Sequence, residues 1–386
     1  MDFELSEEQR LLQESVGRLL ADHYGFEQRT AYMKEPGGFS RALWKQYAEL
    51  GLLALPFAEE DGGIGGGPVD IMIVMEAMGR ALVLEPYLAT VVLAGGVLRH
   101  AASKTQRAGL VPKIADGSLI LALAHSERQS RFDLADVATA AKKDGAGYVL
   151  DGAKGLVLHG DSADKFVVSA RLSGKQRDRD GTALFLVDAK AKGVSIRGYQ
   201  TIDGQRAAEI TLAGVKVGAD GVIGEPGKAL AVIERVADEA MAALCAEAVG
   251  AMAVMHEVTV DYLKTRRQFG VPIGNFQVLQ HAAVDMLMAA EQARSMAMLA
   301  TMMAAEPNAV ERHKSIAAAK VQIGRSGRFV GKTATQLHGG IGMTMEYKVG
   351  HYFKRMTMID KLFGDADVHL ETLAQLGGLF GNTKAA

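Results

Sequence analysis

The stretch KLFGDADVHLE, residues 361–371, sets Asp365, Asp367, His369 and Glu371 close together, with Gly364 just ahead of them. A carboxylate in such a cluster abstracts a proton only when its oxygen comes within about 2.6–3.2 Å of the reacting group. The same letters also spell a helix start. Asp365 or Asp367 can accept from unpaired N–H groups and meet the positive end of the helix dipole. Both readings stand at the level of sequence. A second suggestive run, EEDGGIGGGPVD (59–70), has the glycines of a phosphate loop, but no strand precedes it and no GK[ST] follows. It reads as a turn between helices. The single cysteine, Cys245, excludes an internal disulfide, a CxxC pair and a multi-cysteine zinc site. It sits in an apolar helical run and reads as a small core residue.

Composition narrows the classes further. With 386 residues, 48% hydrophobic and 23% charged, the chain suits a soluble globular protein of two or three domains. Its net charge of −2 argues against a nucleic-acid surface, which needs a basic face to displace counterions. The acidic start MDFELSEEQRLLQ is unlike a signal peptide, and no apolar run approaches a membrane span. The expectation is a cytoplasmic protein. Eighteen methionines with few aromatics point to long helices whose gaps Met fills.

The elements that must position these residues follow from periodicity. Residues 1–118 read as helical, opening with Ser6 and Gln9 at capping-box spacing. Over 119–228 the runs KFVVSARL, TALFLVD, GVSIRG and AAEITLAGVKV are short and strand-like, and KKDGAGYVLDGAKGLVL reads as a hairpin. Such spacing predicts an antiparallel barrel or sandwich, and no GxGxxG follows any strand. Over 229–386 apolar residues step by three and four in three long runs, which predicts a four-helix bundle once a final helix is added. The fold class is α+β, in the order α, β, α. His281 and His338 read as packing residues.

This order, with YLKTRRQFGVPIGNFQVLQH (262–281) and QLHGGIGMTMEY (336–347), resembles the flavin-dependent acyl-CoA dehydrogenase family. ELGLLALPFAEEDGGIG (49–65) and DGAKGLVLHGDSADKFVVSAR (151–171) extend the resemblance over essentially the whole chain. It implies FAD as cofactor, with contacts at Arg266, Gln268, Phe269, Phe276, Gln277, Gln336, Gly339 and Gly340. An arginine offers the pyrophosphate a planar donor fork, and glycines let backbone approach closely. On the barrel side it implies Ser126, Leu156 and Leu158. In this family the dinucleotide end is shared between subunits, so a homo-tetramer or a hetero-tetramer with a related chain is implied.

Departures from the family pattern bear on activity. Ser126-Glu127-Arg128-Gln129-Ser130-Arg131-Phe132-Asp133 stands where members carry T-E-P-x-x-G-S-D, and Leu156-Val157-Leu158 where they carry W-I-T. The family's catalytic glutamate in a Y-E-G-T-like loop falls on Phe363 or Gly364, with Asp365 just after. The alternative Glu-Arg pair of some members falls on Ala240 and Met241, one position beyond Glu239, while Asp238 matches a substrate contact. Asp365 and Glu239 are therefore the candidate bases. CAEAVGAM, FQVLQH and LFGDAD are most like the small subunit of pimeloyl-CoA-type two-chain enzymes. The resemblance implies oxidation of an acyl-CoA to its trans-2-enoyl thioester, with electron-transfer flavoprotein as acceptor. Its alternative is a base-lacking partner subunit that completes the FAD site of another chain.

Overall fold

The computed structural model describes residues 4–377. Its first helix, α1 (Glu7–His23), starts at the expected capping box: Ser6 Oγ accepts from the Gln9 N–H at 3.2 Å, and the Gln9 side chain accepts from the Ser6 N–H at 3.1 Å. Next come α2 (Phe26–Tyr32), α3 (Arg41–Glu49), α4 (Pro68–Ala81), α5 (Gly95–Ala101) and α6 (Lys104–Ala115). The glycine-rich run between α3 and α4 is a turn, with Gly62 and Gly65 at positive φ, and Asp61 ahead of it pairs with Arg107 at 2.7 Å. The chain forms two compact units. One comprises residues 31–67 and 84–240; the other, residues 4–30, 68–83 and 241–377.

The unit containing residues 84–240 is built on a sheet. Its strands are β1 (Leu121–Ala124), β2 (Ala140–Asp144), β3 (Gly147–Leu158), β4 (Lys165–Arg171), β5 (Thr182–Asp188), β6 (Val194–Gln200), β7 (Arg206–Val217) and β8 (Val222–Ile223). They run in the order β6-β7-β3-β2-β4-β5-β8, with β1 added beside β4. The hairpin expected at Asp144 and Gly145 joins β2 to β3. The expected antiparallel barrel is corrected in two respects. β1 and β2 both pair with β4 in parallel, so the sheet is mixed, and its path ends at β6 and β8 without closing. Parallel pairing needs a long crossover that short-range turn signals do not encode. β4 is buried on both faces except at its first residue, so its sequence, KFVVSAR, lacks the apolar–polar alternation of a half-exposed strand. The buried π-helical segment Leu88–Ala94 packs against β1, where the Thr90 hydroxyl donates to the Leu121 carbonyl at 2.9 Å.

The helical unit takes most of α7 (Leu230–Thr265), then the hairpin of β9 (Arg267–Gln268) and β10 (Val271–Pro272), and α8 (Gln277–Met303). It ends with α9 (Ala309–His338), α10 (Lys348–Lys361) and α11 (Ala366–Gln375), two short helices where the sequence pattern anticipated one. α8, α10 and α11 all pack on α9. There the buried Lys320 gathers the carbonyls at the end of α10, donating to Ile359 at 2.5 Å and to Leu362 at 3.1 Å. Burial lowers its ammonium to about 8. α7 is long and apolar enough to cross a membrane by length and composition, contrary to the expectation from hydropathy. With 78% of its apolar window buried it serves instead as a core helix.

Candidate functional site

Two groups of residues, one in each unit, carry the features that the sequence singled out. In the helical unit α7 ends at Thr265, and the Arg266 N–H still donates to Tyr262 O at 2.8 Å. Beyond it, Gln268 pairs with Val271 across a two-residue loop, Phe269-Gly270. Both loop residues have positive φ (54° and 82°), the conformation that matches the twist of a tight hairpin. Glycine takes it freely. A phenylalanine there is strained by an amount on the order of 1–3 kcal/mol. Phe269 is nevertheless 90% exposed, touching Phe276 edge-on at 6.1 Å between centroids. Arg266, Gln268 and Gln277 are exposed around it, and Arg266 has no side-chain partner among the described residues.

The Gly339-Gly340 turn follows α9, whose last residue reaches the end of α7. His338, the last residue of α9, stacks on Tyr262 at 4.5 Å and faces Tyr347 at 5.1 Å, so one ring ties the end of α7 to the turn. Its Nδ1 donates to Ala334 O at 2.8 Å, and burial lowers its pKa, which suits a neutral packing ring. A Cβ added at Gly339 or Gly340 meets nothing within 4 Å. Gly339, at φ 63°, is in the left-handed conformation that glycine adopts freely, and both glycines leave bare backbone exposed next to the exposed Gln336. Met343, 76% exposed, Met345 and Ile341 extend the apolar surface. An unpartnered guanidinium, a projecting aromatic and open glycines form a set that fits a dinucleotide pyrophosphate and its bases.

In the sheet unit, Ser126 follows β1, and Leu156 and Leu158 lie on β3. The register jumps from Lys154 opposite Ile210 to Val157 opposite Ala208, so Gly155 and Leu156 together face only Glu209. This bulge inverts the face of everything after it. Without it Leu156 and Leu158 would share the inward face of Lys154. With it Val157 is buried, Leu156 is 40% exposed at φ 49°, and Leu158 is half-buried. The Ser126 carbonyl accepts from the Gly155 N–H at 2.8 Å, so the two segments are in contact.

The acidic candidates are all engaged. Asp365 is the N-cap of α11, accepting from the Val368 N–H at 3.1 Å and from Lys361 Nζ at 2.5 Å. That lysine, with the capping bond, holds its carboxyl below the usual range. The turn before it is left-handed, with Phe363 at φ 61° and Gly364 at φ 109°. Glu239 is gripped by Arg99 at 2.6 Å, His100 at 2.7 Å and Arg235 at 3.0 Å. Burial alone would raise its carboxyl, but these partners bring it down to about 2. Asp238 is buried. Glu247 forms a two-point pair with Arg355 at 2.6 and 2.7 Å. Among the described residues no group of three His, Cys, Asp or Glu is placed to hold a metal.

Glu239 carries a pH prediction. Its folded pKa lies below its ordinary 4.5, so its stabilising contribution is complete above that value and is lost as pH falls toward 2. Glu239→Gln should be less stable than the wild type at pH 7, and the gap should close across that acid window. Urea midpoints measured from neutral pH down through that window test this, and a constant gap would assign the loss to packing instead.

Sequence reasoning missed Lys154, which is wholly buried in a strand and pairs with Glu127, the acidic position that survives from the family's T-E-P-x-x-G-S-D stretch. A lone lysine within the apolar run GAKGLVL was the available signal.

Three family models cover nearly the whole chain: acyl-CoA dehydrogenase N-terminal domain on residues 6–118, middle domain on 122–215 and C-terminal domain on 230–377. The chain is 27% identical over 385 residues to the "probable acyl-CoA dehydrogenase YngJ" of Bacillus subtilis, covering 97% of this chain and 99% of that one. Among solved structures it matches a variant of the "Tcur3481-Tcur3483 steroid ACAD" with a TM-score of 0.85 and 30% identity, covering 96% and 97% of the two chains. It matches the "ChsE4-ChsE5 complex from Mycobacterium tuberculosis" with a TM-score of 0.86 and 26% identity, covering 97% and 98%.

Proposed function

The chain belongs to the acyl-CoA dehydrogenase family, whose members are FAD-dependent oxidoreductases, and from that premise we propose that it oxidises an acyl-CoA thioester to the trans-2-enoyl form together with a related chain that supplies the base. The observation that carries this reading is the engagement of its own carboxylates. Asp365 caps a helix and pairs with Lys361, Glu239 is held at about 2 by cations, and Glu247 is locked to Arg355. A base must sit near the working pH with its lone pairs free. By contrast Arg266, Phe269, Gly339 and Gly340 are exposed and uncommitted, as residues reaching a neighbouring subunit's cofactor would be.

Arg266 would hold the pyrophosphate, with Gln268, Phe269, Phe276, Gln277 and Gln336 around the dinucleotide. Ser126 and the backbone of Leu156 and Leu158 would face the isoalloxazine. Bound FAD supplies the hydride acceptor for the β-carbon, while protein groups orient the thioester and exclude water. Asp238 would contact the substrate. The two solved relatives above carry paired chain names, which supports a hetero-tetramer over a homo-tetramer. Electron-transfer flavoprotein is the proposed acceptor and the cytoplasm the proposed location. The two-chain form, like the small subunit of a pimeloyl-CoA-type enzyme, acts on a bulky acyl group.

The competing reading is a self-sufficient enzyme with Asp365 as base. Asp365→Asn keeps the shape and much of the capping but cannot accept a proton. On the two-chain reading, flavin reduction by acyl-CoA in the purified assembly should stay within about threefold of the wild type, since losing a true base costs roughly 10²–10⁴-fold. A thousandfold fall with FAD still bound would make Asp365 the base and end the two-chain reading.

A further inference from the structure

We propose that Lys154 and Glu127 are positioning residues for the cofactor-bearing face of the sheet: their buried ion pair clamps the loop after β1 onto the bulge of β3, and so fixes the backbone of Ser126 and of residues 156–158. The proposal rests on the family reading, which places the isoalloxazine against those residues.

The geometry is specific. The Lys154 side chain is 0% exposed, and its Nζ donates to Glu127 Oε1 at 2.6 Å, Ser169 Oγ at 3.0 Å and the His125 carbonyl at 3.2 Å. Three donors therefore meet three acceptors, and none is spare. Glu127 is bound in turn by the N–H groups of Ala138 at 2.9 Å and Thr139 at 3.0 Å and by Gln129 Nε2 at 2.7 Å. One position further along β3, and one back along the loop, the Gly155 N–H donates to Ser126 O. Adjacent residues of β3, 154 and 155, thus grip adjacent residues of the loop, 126 and 127. One clip is an ion pair and the other a backbone bond.

The place of the clamp explains its consequence. It sits at the residue where the register breaks, and the break turns Leu156 and Leu158 outward. Were the bulge lost, strict alternation would resume after Lys154, and Leu156 and Leu158 would turn inward. A buried ammonium that finds its counter-charge at only one register pins the bulge there. Burial lowers the Lys154 ammonium to about 8, but Glu127 keeps it charged. Burial would raise Glu127, yet Lys154 and the surrounding donors hold it at about 2. The pair is therefore ionised at neutral pH.

Removing one partner strands a buried charge, whereas removing both often leaves stability nearly unchanged. That difference separates positioning from mere stability. Lys154→Met, Glu127→Gln and the double variant would be compared in the purified assembly. FAD dissociation constants come from flavin fluorescence titration of the apoprotein, and stability comes from urea unfolding of the same apoprotein. Lys154→Met should lose stability and bind FAD at least tenfold more weakly. The double variant should regain most of the stability yet keep the tenfold weaker binding, because the ion-pair clip is still missing. A double variant with wild-type FAD affinity would overturn the proposal, as would affinity that tracks stability across all three. Wild-type assembly that takes up no FAD would overturn the family reading, and this proposal with it.

Discussion

Replacing Gly250 with valine is expected to cost roughly 3 kcal/mol or more of unfolding free energy and to leave little folded protein at physiological temperature. Gly250 lies on α7 and Gly79 on α4, at a crossing where the two backbones touch. A Cβ on Gly250 would fall inside contact distance of the Glu76 carbonyl and 2.9 Å from the Arg80 nitrogen. One on Gly79 would strike the Glu247 carbonyl. Each glycine therefore meets backbone of the other helix, which cannot rotate aside as a side chain can. The surroundings leave no slack. Glu247 is bound at two points by the buried Arg355, Tyr352 donates to the Arg80 carbonyl, and Arg80 pairs with Glu257 at 2.9 Å. The control is Gly109→Ala on α6, where a Cβ meets nothing within 4 Å. It should stabilise by about 0.5–1 kcal/mol, the ordinary gain of alanine over glycine in a helix. Urea unfolding of both variants decides the matter; a Gly250→Val protein with the wild-type midpoint would show that the helices do not meet in this way.

Arg266→Ala should weaken FAD binding about 10- to 100-fold, the loss of one charge-assisted bond of about 1.5–3 kcal/mol. Because Arg266 is exposed and has no side-chain partner among the described residues, apoprotein stability should change by less than about 0.5 kcal/mol. The separation matters, since cofactor loss then cannot be a by-product of unfolding. The melting temperature of the FAD-loaded assembly should fall toward that of the apoprotein, as bound cofactor stabilises only the folded state. Flavin content per chain after gel filtration gives the direct reading. Full retention by the variant would remove Arg266 from the cofactor site.

Much of the local design is legible in the letters. Ser6 and Gln9 are three apart, and that spacing alone closes the capping box that starts α1. Asp144 and Gly145 mark the hairpin of β2 and β3 through the left-handed φ that glycine supplies. The helix-start reading of Asp365 needs only its neighbours, because a cap bonds to residues two or three along the chain. TRRQFG and QLHGG stand out as motifs, but which of their residues are exposed (Arg266, Phe269, Gln336, Gly339 and Gly340) and which is buried (His338) is seen only in the structure.

What the letters left open are the meetings between distant elements. Glu239 finds Arg99 and His100 some 140 residues away, so its charge environment appears only when α5 packs beside α7. A helical period tells which face of α4 or α7 is apolar, but not that Gly79 and Gly250 are where those faces cross. Strand patterning marked the short apolar runs without revealing that β1 and β2 join β4 in parallel, since pairing direction is set by the path between strands. The bulge after Lys154 is the sharpest case. Alternation would place Leu156 and Leu158 inside with Lys154, and a single extra residue reverses it. Only the folded sheet, with Glu127 available to pair a buried ammonium, decides where that residue is inserted.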